Sequence, residues 1–158
     1  MLWINNIILD NLDLRTFKPK LMLNKIEHLG IAVSNLEEAN DLYTKLLGVK
    51  PYKEETVESE GVTTSFFKIG ETKIELLEGT REDSPISKFI AKKGQGIHHI
   101  AYAVDDIRAE MKRLQEEGFI LLNEEPKPGA DGKVVAFLHP KSSGGVLVEL
   151  CMDADKLK

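Results

Sequence analysis

The chain has 158 residues, 42% of them hydrophobic and 30% charged, which is enough to bury one good core and argues against extensive disorder. Its 21 basic and 26 acidic residues leave a formal net charge of -5 with no long run of one sign, which counts against nucleic acid and charged lipid surfaces as partners. The lone Cys151 has no internal disulfide partner and no CxxC motif is present, so a reducing, cytoplasmic setting suits the chain and the thiol reads as buried.

Residues 1–21 carry an apolar patch too short and too interrupted to cross a bilayer, with neither a basic start nor a small-residue cleavage site. They read as an N-terminal extension upstream of Met22 that adds little to the fold, ahead of a single domain over 22–158. The first strand-like segment, Ile26-Glu27-His28-Leu29-Gly30-Ile31-Ala32-Val33, runs into a helical pattern of Leu36, Ala39, Tyr43, Leu46 and Leu47. Ser34 or Asn35 caps that helix at its start and Gly48 ends it. Three β-leaning stretches follow, at roughly 50–57, 62–69 and 72–78, with Glu60-Gly61 and Gly70-Glu71 as the turns between them. Ser84 to Lys93 reads as a short linking helix.

The pattern then repeats. Ile97-His98-His99-Ile100-Ala101-Tyr102-Ala103-Val104 matches the first strand, Asp105 or Asp106 caps a second helix carrying Ile107, Met111 and Leu114, and Gly118 closes it. Further strands are expected at about 119–122, 133–139 and 144–151, and the last strands echo one another as Lys73-Ile74-Glu75-Leu76-Leu77 and Leu147-Val148-Glu149-Leu150-Cys151. The organisation is two βαβββ modules, about 24–79 and 96–152.

Strand alternation puts His28 on the face of Ile26, Gly30 and Ala32, and His99 on the face of Ala101 and Ala103. The same parity sends His98 to the opposite face, beneath the second helix. Small residues beside the two histidines leave open volume in front of the sheet, while Glu75 and Glu149 each interrupt an apolar strand, where a carboxylate is costly without compensation. Taken singly, these residues read as satisfied core histidines and half-exposed glutamates. As a matched set, one imidazole and one carboxylate from each module, His28, Glu75, His99 and Glu149 read as ligands to one divalent ion, with cobalt first and nickel, manganese or zinc as alternatives.

With these features the chain resembles the vicinal-oxygen-chelate (glyoxalase) superfamily over about residues 24–152, and within it the methylmalonyl-CoA epimerase family, through HLGIAVSNLEEA, GIHHIAYAVDDI and HPKSSGGVLVEL. The resemblance implies an α+β fold in which the paired modules form a curved mixed sheet around the metal, a homodimer, and an acyl-CoA substrate. It also implies removal and return of the α-proton of a methylmalonyl thioester through an enolate-like intermediate. Glu149 matches the family carboxylate that ligates the metal near the reacting carbon and is the expected base. The position where a studied relative carries a second glutamate falls here on Thr64, a poor base, which leaves the opposite-face proton carrier unassigned. Lys141, Ser142, Ser143 and Gly144 follow the epimerase pattern and form either an anion cradle for CoA or an ordinary turn with a solvated lysine. His139 either caps local backbone or sits near the site. The His-Glu-His-Glu set is shared with glyoxalase I, which acts on a glutathione hemithioacetal and is the alternative activity; a ring-cleaving dioxygenase and a non-catalytic binding module fit less well.

Overall fold

The structure, a computed structural model, describes residues 23–157, so the expected extension over 1–21 lies outside the described residues. The first module consists of β1 (Lys25–Ala32), α1 (Leu36–Leu47), β2 (Lys53–Val57), β3 (Val62–Ile69) and β4 (Thr72–Gly79). After α2 (Pro85–Lys93) the second repeats the order with β5 (Gly96–Ala103), α3 (Ile107–Glu116), β6 (Lys127–Pro128), β7 (Lys133–Leu138) and β8 (Val148–Asp153). The strands form one mixed sheet in the order β2-β3-β4-β1-β5-β8-β7-β6, a curled half-barrel. Its centre is the antiparallel pair β1 and β5, flanked by the parallel partners β4 and β8.

Local chemistry sets the helix ends. Asn35 accepts a hydrogen bond from the Glu38 N–H and Asp106 from the Ala109 N–H, each satisfying an otherwise orphaned donor. At the far end of α1, Gly48 takes the left-handed conformation (φ 70°) and donates to the Thr44 carbonyl.

Alternation along the strands then sorts the sheet into two faces. Leu76 and Phe67 pack beneath α1 with Val33, Leu36 and Ala39, while Leu150, Ala136 and Val134 pack beneath α3 with Ile107, Met111 and Leu114. Each of these side chains larger than alanine contributes roughly 1.5–3 kcal/mol when withdrawn from water. The other face carries Glu75 and Leu77 on β4 and Glu149 and Cys151 on β8, and α2 closes part of it by packing Ile86 on Ala32, Val62 and Leu77. The trough that results is where the polar residues gather.

Two expected strands differ. The stretch at 119–122 is not a strand: Leu121 makes a single bridge to Leu138, and the sixth strand is the short Lys127–Pro128 pair. The ladder is interrupted because the Ile120 N–H donates to the Ser142 hydroxyl and the Phe137 N–H to the Asn123 side chain, so side chains replace backbone partners. The last strand begins at Val148 rather than 144, because Gly144 and Gly145 turn through positive φ (67° and 89°).

Candidate metal centre

The two central strands are not regular. In the β1–β5 register, Ile26 faces Tyr102 while His28 faces Ala101, and Gly30 faces His99 while Ile31 faces Ile97. Each shift leaves one extra residue, Glu27 on β1 and His98 on β5, as a β-bulge. The bulge overturns the parity expected for His98: instead of lying beneath α3, it lines the trough beside His99. Glu27, the corresponding residue of the first module, is likewise drawn in beside His28 and is 7% exposed.

His28 and His99 meet at the centre of the trough with their Nε2 atoms 2.9 Å apart. Glu149 Oε2 lies 3.2 Å from His99 Nε2 and 3.7 Å from His28 Nε2. All three side chains are buried. Two ring nitrogens this close must share a proton or a cation. Separations near 3 Å are also those of neighbouring ligands on an ion about 2.1 Å from each donor.

The backbone makes room for this contact. A Cβ on Gly30 would stand 2.2 Å from His99 Cε1, so only glycine lets the second module's imidazole lie across the first module's strand. Glu75 is brought to the same cluster but not to the same side: its Oε1 is 3.3 Å from His28 Nδ1 rather than from Nε2. Three of the four expected ligands therefore converge, with Glu75 adjacent.

The other ring nitrogens are also engaged. His28 Nδ1 is 2.6 Å from Glu27 Oε2, and His99 Nδ1 is 3.0 Å from His98 Nδ1. Lys73 Nζ sits 2.8 Å from Glu27 Oε1 and 3.1 Å from Asp131 Oδ2. Burial opposes charging His28, but hydrogen bonds to Glu149 and Glu27 and the charge of Glu75 outweigh it and raise its pKa to about 10. Burial likewise opposes ionising Glu149, yet the hydrogen bonds from His28 and His99 hold it at about 2. The Glu75 carboxyl is pushed up, burial first and the Glu149 charge next, although His28 and Lys73 pull the other way. His98 falls to about 4 through burial and the neighbouring His99, and so is neutral at physiological pH. Without an ion, a proton on His28 neutralises the anionic side of the cluster.

Beside the cluster opens a cavity of about 330 Å³ whose wall includes Thr64, Glu75, His98, His99, Lys127 and Phe137. Thr64, at the position where a second carboxylate was looked for, lies in this wall and is 2% exposed. Across the mouth, Lys127 Nζ reaches Glu60 Oε1 at 2.8 Å and ties the second module to the first.

Residues 27–137 match the Glyoxalase/Bleomycin resistance protein/Dioxygenase superfamily. The chain belongs to that superfamily. It is 46% identical over 131 residues to the ethylmalonyl-CoA/methylmalonyl-CoA epimerase of Cereibacter sphaeroides, covering 82% of this chain and 98% of that one. The uncharacterized protein YqjC of Bacillus subtilis is 40% identical over 129 residues, 82% of this chain and 92% of its own. A variant of Streptomyces coelicolor methylmalonyl-CoA epimerase, solved in complex with 2-nitronate-propionyl-CoA, superposes with a TM-score of 0.81 at 38% identity, covering 84% of this chain and 99% of that one. The resemblance seen in the sequence is thus to close relatives within the superfamily.

The remaining expected residues sit apart from the cluster. His139 caps the 3-10 turn Pro140–Ser142, its Nδ1 accepting from the Lys141 N–H at 3.0 Å, which selects the local-backbone reading. The Ser142 hydroxyl donates to the His139 carbonyl and the Ser143 hydroxyl to the Val146 carbonyl. Lys141 and Gly144 are exposed. Sequence reasoning missed Glu27, His98, Lys73 and Asp131. The signal for the first two was present, since Glu27-His28 and His98-His99 occupy the same place in the repeat. No helix among the described residues is long and apolar enough to cross a membrane.

Proposed function

We propose that the chain epimerises methylmalonyl-CoA at the carbon α to the thioester. The observation that carries the reading is the buried His28–His99–Glu149 cluster beside a cavity of about 330 Å³ that His99 lines, in a chain close in sequence to acyl-CoA epimerases. The donor set is nitrogen and oxygen without thiolate, which suits a divalent transition ion, cobalt(II) first, held by His28, His99 and Glu149, with Glu75 beside His28 Nδ1 and a ligand only if its side chain turns toward the Nε2 side. Such an ion would supply Lewis-acid stabilisation of the charge that develops on the thioester oxygen.

The rest of the task falls to the chain's own groups. Glu149 is the ionised carboxylate at the trough floor and accepts the α-proton. The apolar walls contributed by Phe137, Val135, Leu77 and Val62 exclude water from a carbanion that water would otherwise protonate at random. Thr64 offers a hydroxyl and not a carboxylate on the first module's wall, so the acid/base work is unevenly divided between the two faces. Outside the cavity, Lys141 and the Gly144 N–H, carried on the turn whose Ser142 and Ser143 N–H groups are spent on the His139 and Pro140 carbonyls, meet the CoA phosphates. A homodimer is the assembly we assign to the chain.

The test is exchange of the methylmalonyl-CoA α-proton in D2O, followed by NMR with the cobalt(II)-loaded protein. Exchange that needs the metal and interconverts the epimers supports the reading. No exchange, with turnover of a glutathione hemithioacetal instead, would reassign the chain as a glyoxalase I.

A further inference from the structure

Glu27 and His98 are not needed to build the three-donor cluster, yet both are buried or half-buried beside it and both are bulge residues. A bulge costs a ladder pairing and is retained where it re-aims a side chain. Here each bulge places a polar group against the Nδ1 atom of the histidine that follows it, at 2.6 Å in the first module and 3.0 Å in the second. With the Nδ1 atoms occupied, the Nε2 atoms are the ones left facing each other across 2.9 Å.

Glu27, His28 and Cys151 also offer donor atoms close enough for a second ion. That assignment fails on charge, because Lys73 Nζ lies 2.8 Å and Lys133 Nζ 3.6 Å from Glu27 Oε1 and already neutralise the carboxylate. Glu27 is thus committed to His28 on one oxygen and to lysine on the other. Lys73 in turn is anchored by Asp131, which reaches over from the second module. His98 is held differently, its ring edge-on to Phe89 of α2 with centroids 4.9 Å apart.

We infer that Glu27 and His98 are positioning residues that fix His28 and His99 as Nε2 donors to one shared cation. The inference rests on the metal-site reading above. A ligating histidine whose second nitrogen donates to a fixed acceptor has one tautomer and one ring orientation, and loss of such an acceptor lowers metal affinity by roughly 10–100-fold. The two braces are unequal. Glu27 is an anion and increases the donor strength of His28; His98 is a neutral acceptor and mainly sets the tautomer of His99.

The experiment uses zinc(II) alone as probe, with affinity from chelator competition and ring-nitrogen signals from long-range proton–nitrogen correlation on 15N-histidine protein. In the parent protein both His28 and His99 should show a metal-bound Nε2 and a protonated Nδ1. Glu27→Gln keeps an acceptor for the Nδ1–H but removes the anion, so the His28 pattern should persist with zinc binding about tenfold weaker. Glu27→Ala should disturb the His28 signals and weaken zinc by up to about 100-fold, while His98→Ala should disturb those of His99. Because Glu27→Ala also removes one of the anions that pair with Lys73, His98→Ala, which removes no charge, tests the same claim independently, with circular dichroism showing that each variant folds. Folded variants with unchanged zinc affinity and unchanged histidine signals would overturn the assignment while leaving the metal site standing. A parent protein that takes up no zinc would overturn the metal reading and this inference together.

Discussion

In the first module His28 stands against an ion pair, Glu27 with Lys73, whereas in the second His99 stands against a neutral imidazole, His98. The carboxylates differ in the opposite sense: Glu149, from the second module, is held at about 2 by both histidines, while burial pushes Glu75 of the first module upward. Repeat symmetry supplied the same residue types twice, and the neighbours then separated their chemistry. The two halves therefore differ in charge: an ion pair backs the histidine of the first and a neutral imidazole that of the second, while the carboxylate held ionised comes from the second.

The largest test of this division is Glu149→Gln, which keeps the volume and removes the charge and the basicity. On the proposed mechanism it should cut α-proton exchange by about a thousandfold, within the usual range for a general acid/base group. Near-normal turnover with metal retained would instead place the acid/base work elsewhere. The smaller change Gly30→Ala drives a methyl group into the His99 ring and should weaken metal binding by at least about tenfold, at a stability cost of about 1–3 kcal/mol measured by urea unfolding.

Acidity separates the two states of the site. In the chelator-treated protein His28 has a folded pKa of about 10 against an ordinary 6.5, so its contribution to stability is complete below pH 6.5 and is lost as pH rises toward 10. Glu27 and Glu149 are depressed from 4.5 to about 2, so theirs is complete above pH 4.5 and is lost as pH falls toward 2. Thermal unfolding should accordingly show a plateau between about pH 4.5 and 6.5 and a decline above it. Added cobalt(II) should remove the alkaline decline, because the ion binds the deprotonated imidazole and its affinity rises with pH. A metal-free protein equally stable at pH 6 and pH 9 would contradict the imidazolium assignment. The smallest effect is expected for Lys141→Ala, an exposed lysine, which should raise KM for the acyl-CoA a few-fold and leave kcat unchanged.

The duplicated fold was legible because apolar periodicity, helix caps and turn glycines recur in the same order, and two of the turns that separate strands, at Gly61 and Gly70, have the positive φ their type demands. What was not legible were the departures from period. Counting alternate residues sent His98 to the wrong face because a bulge inserts one residue, and a bulge depends on the pairing of two strands that no single segment reveals. The failure at 119–122 has the same origin: Asn123 and Ser142 take over backbone hydrogen bonds through their side chains. In the candidate site, matching letters across the repeat picked out four residues, of which three converge with Glu75 adjacent, but the ion-paired chain of Glu27, Lys73 and Asp131 runs across three segments and is not repeated at the matching positions, where His98 stands in place of Glu27.

The most direct test of the central claim, that both modules hold one shared ion, is the anomalous diffraction of cobalt in crystals of the loaded protein. The account predicts one cobalt per chain in contact with His28 Nε2, His99 Nε2 and Glu149, with His28 Nδ1 still turned to Glu27. Cobalt bound elsewhere, or none at saturating concentration, would contradict it.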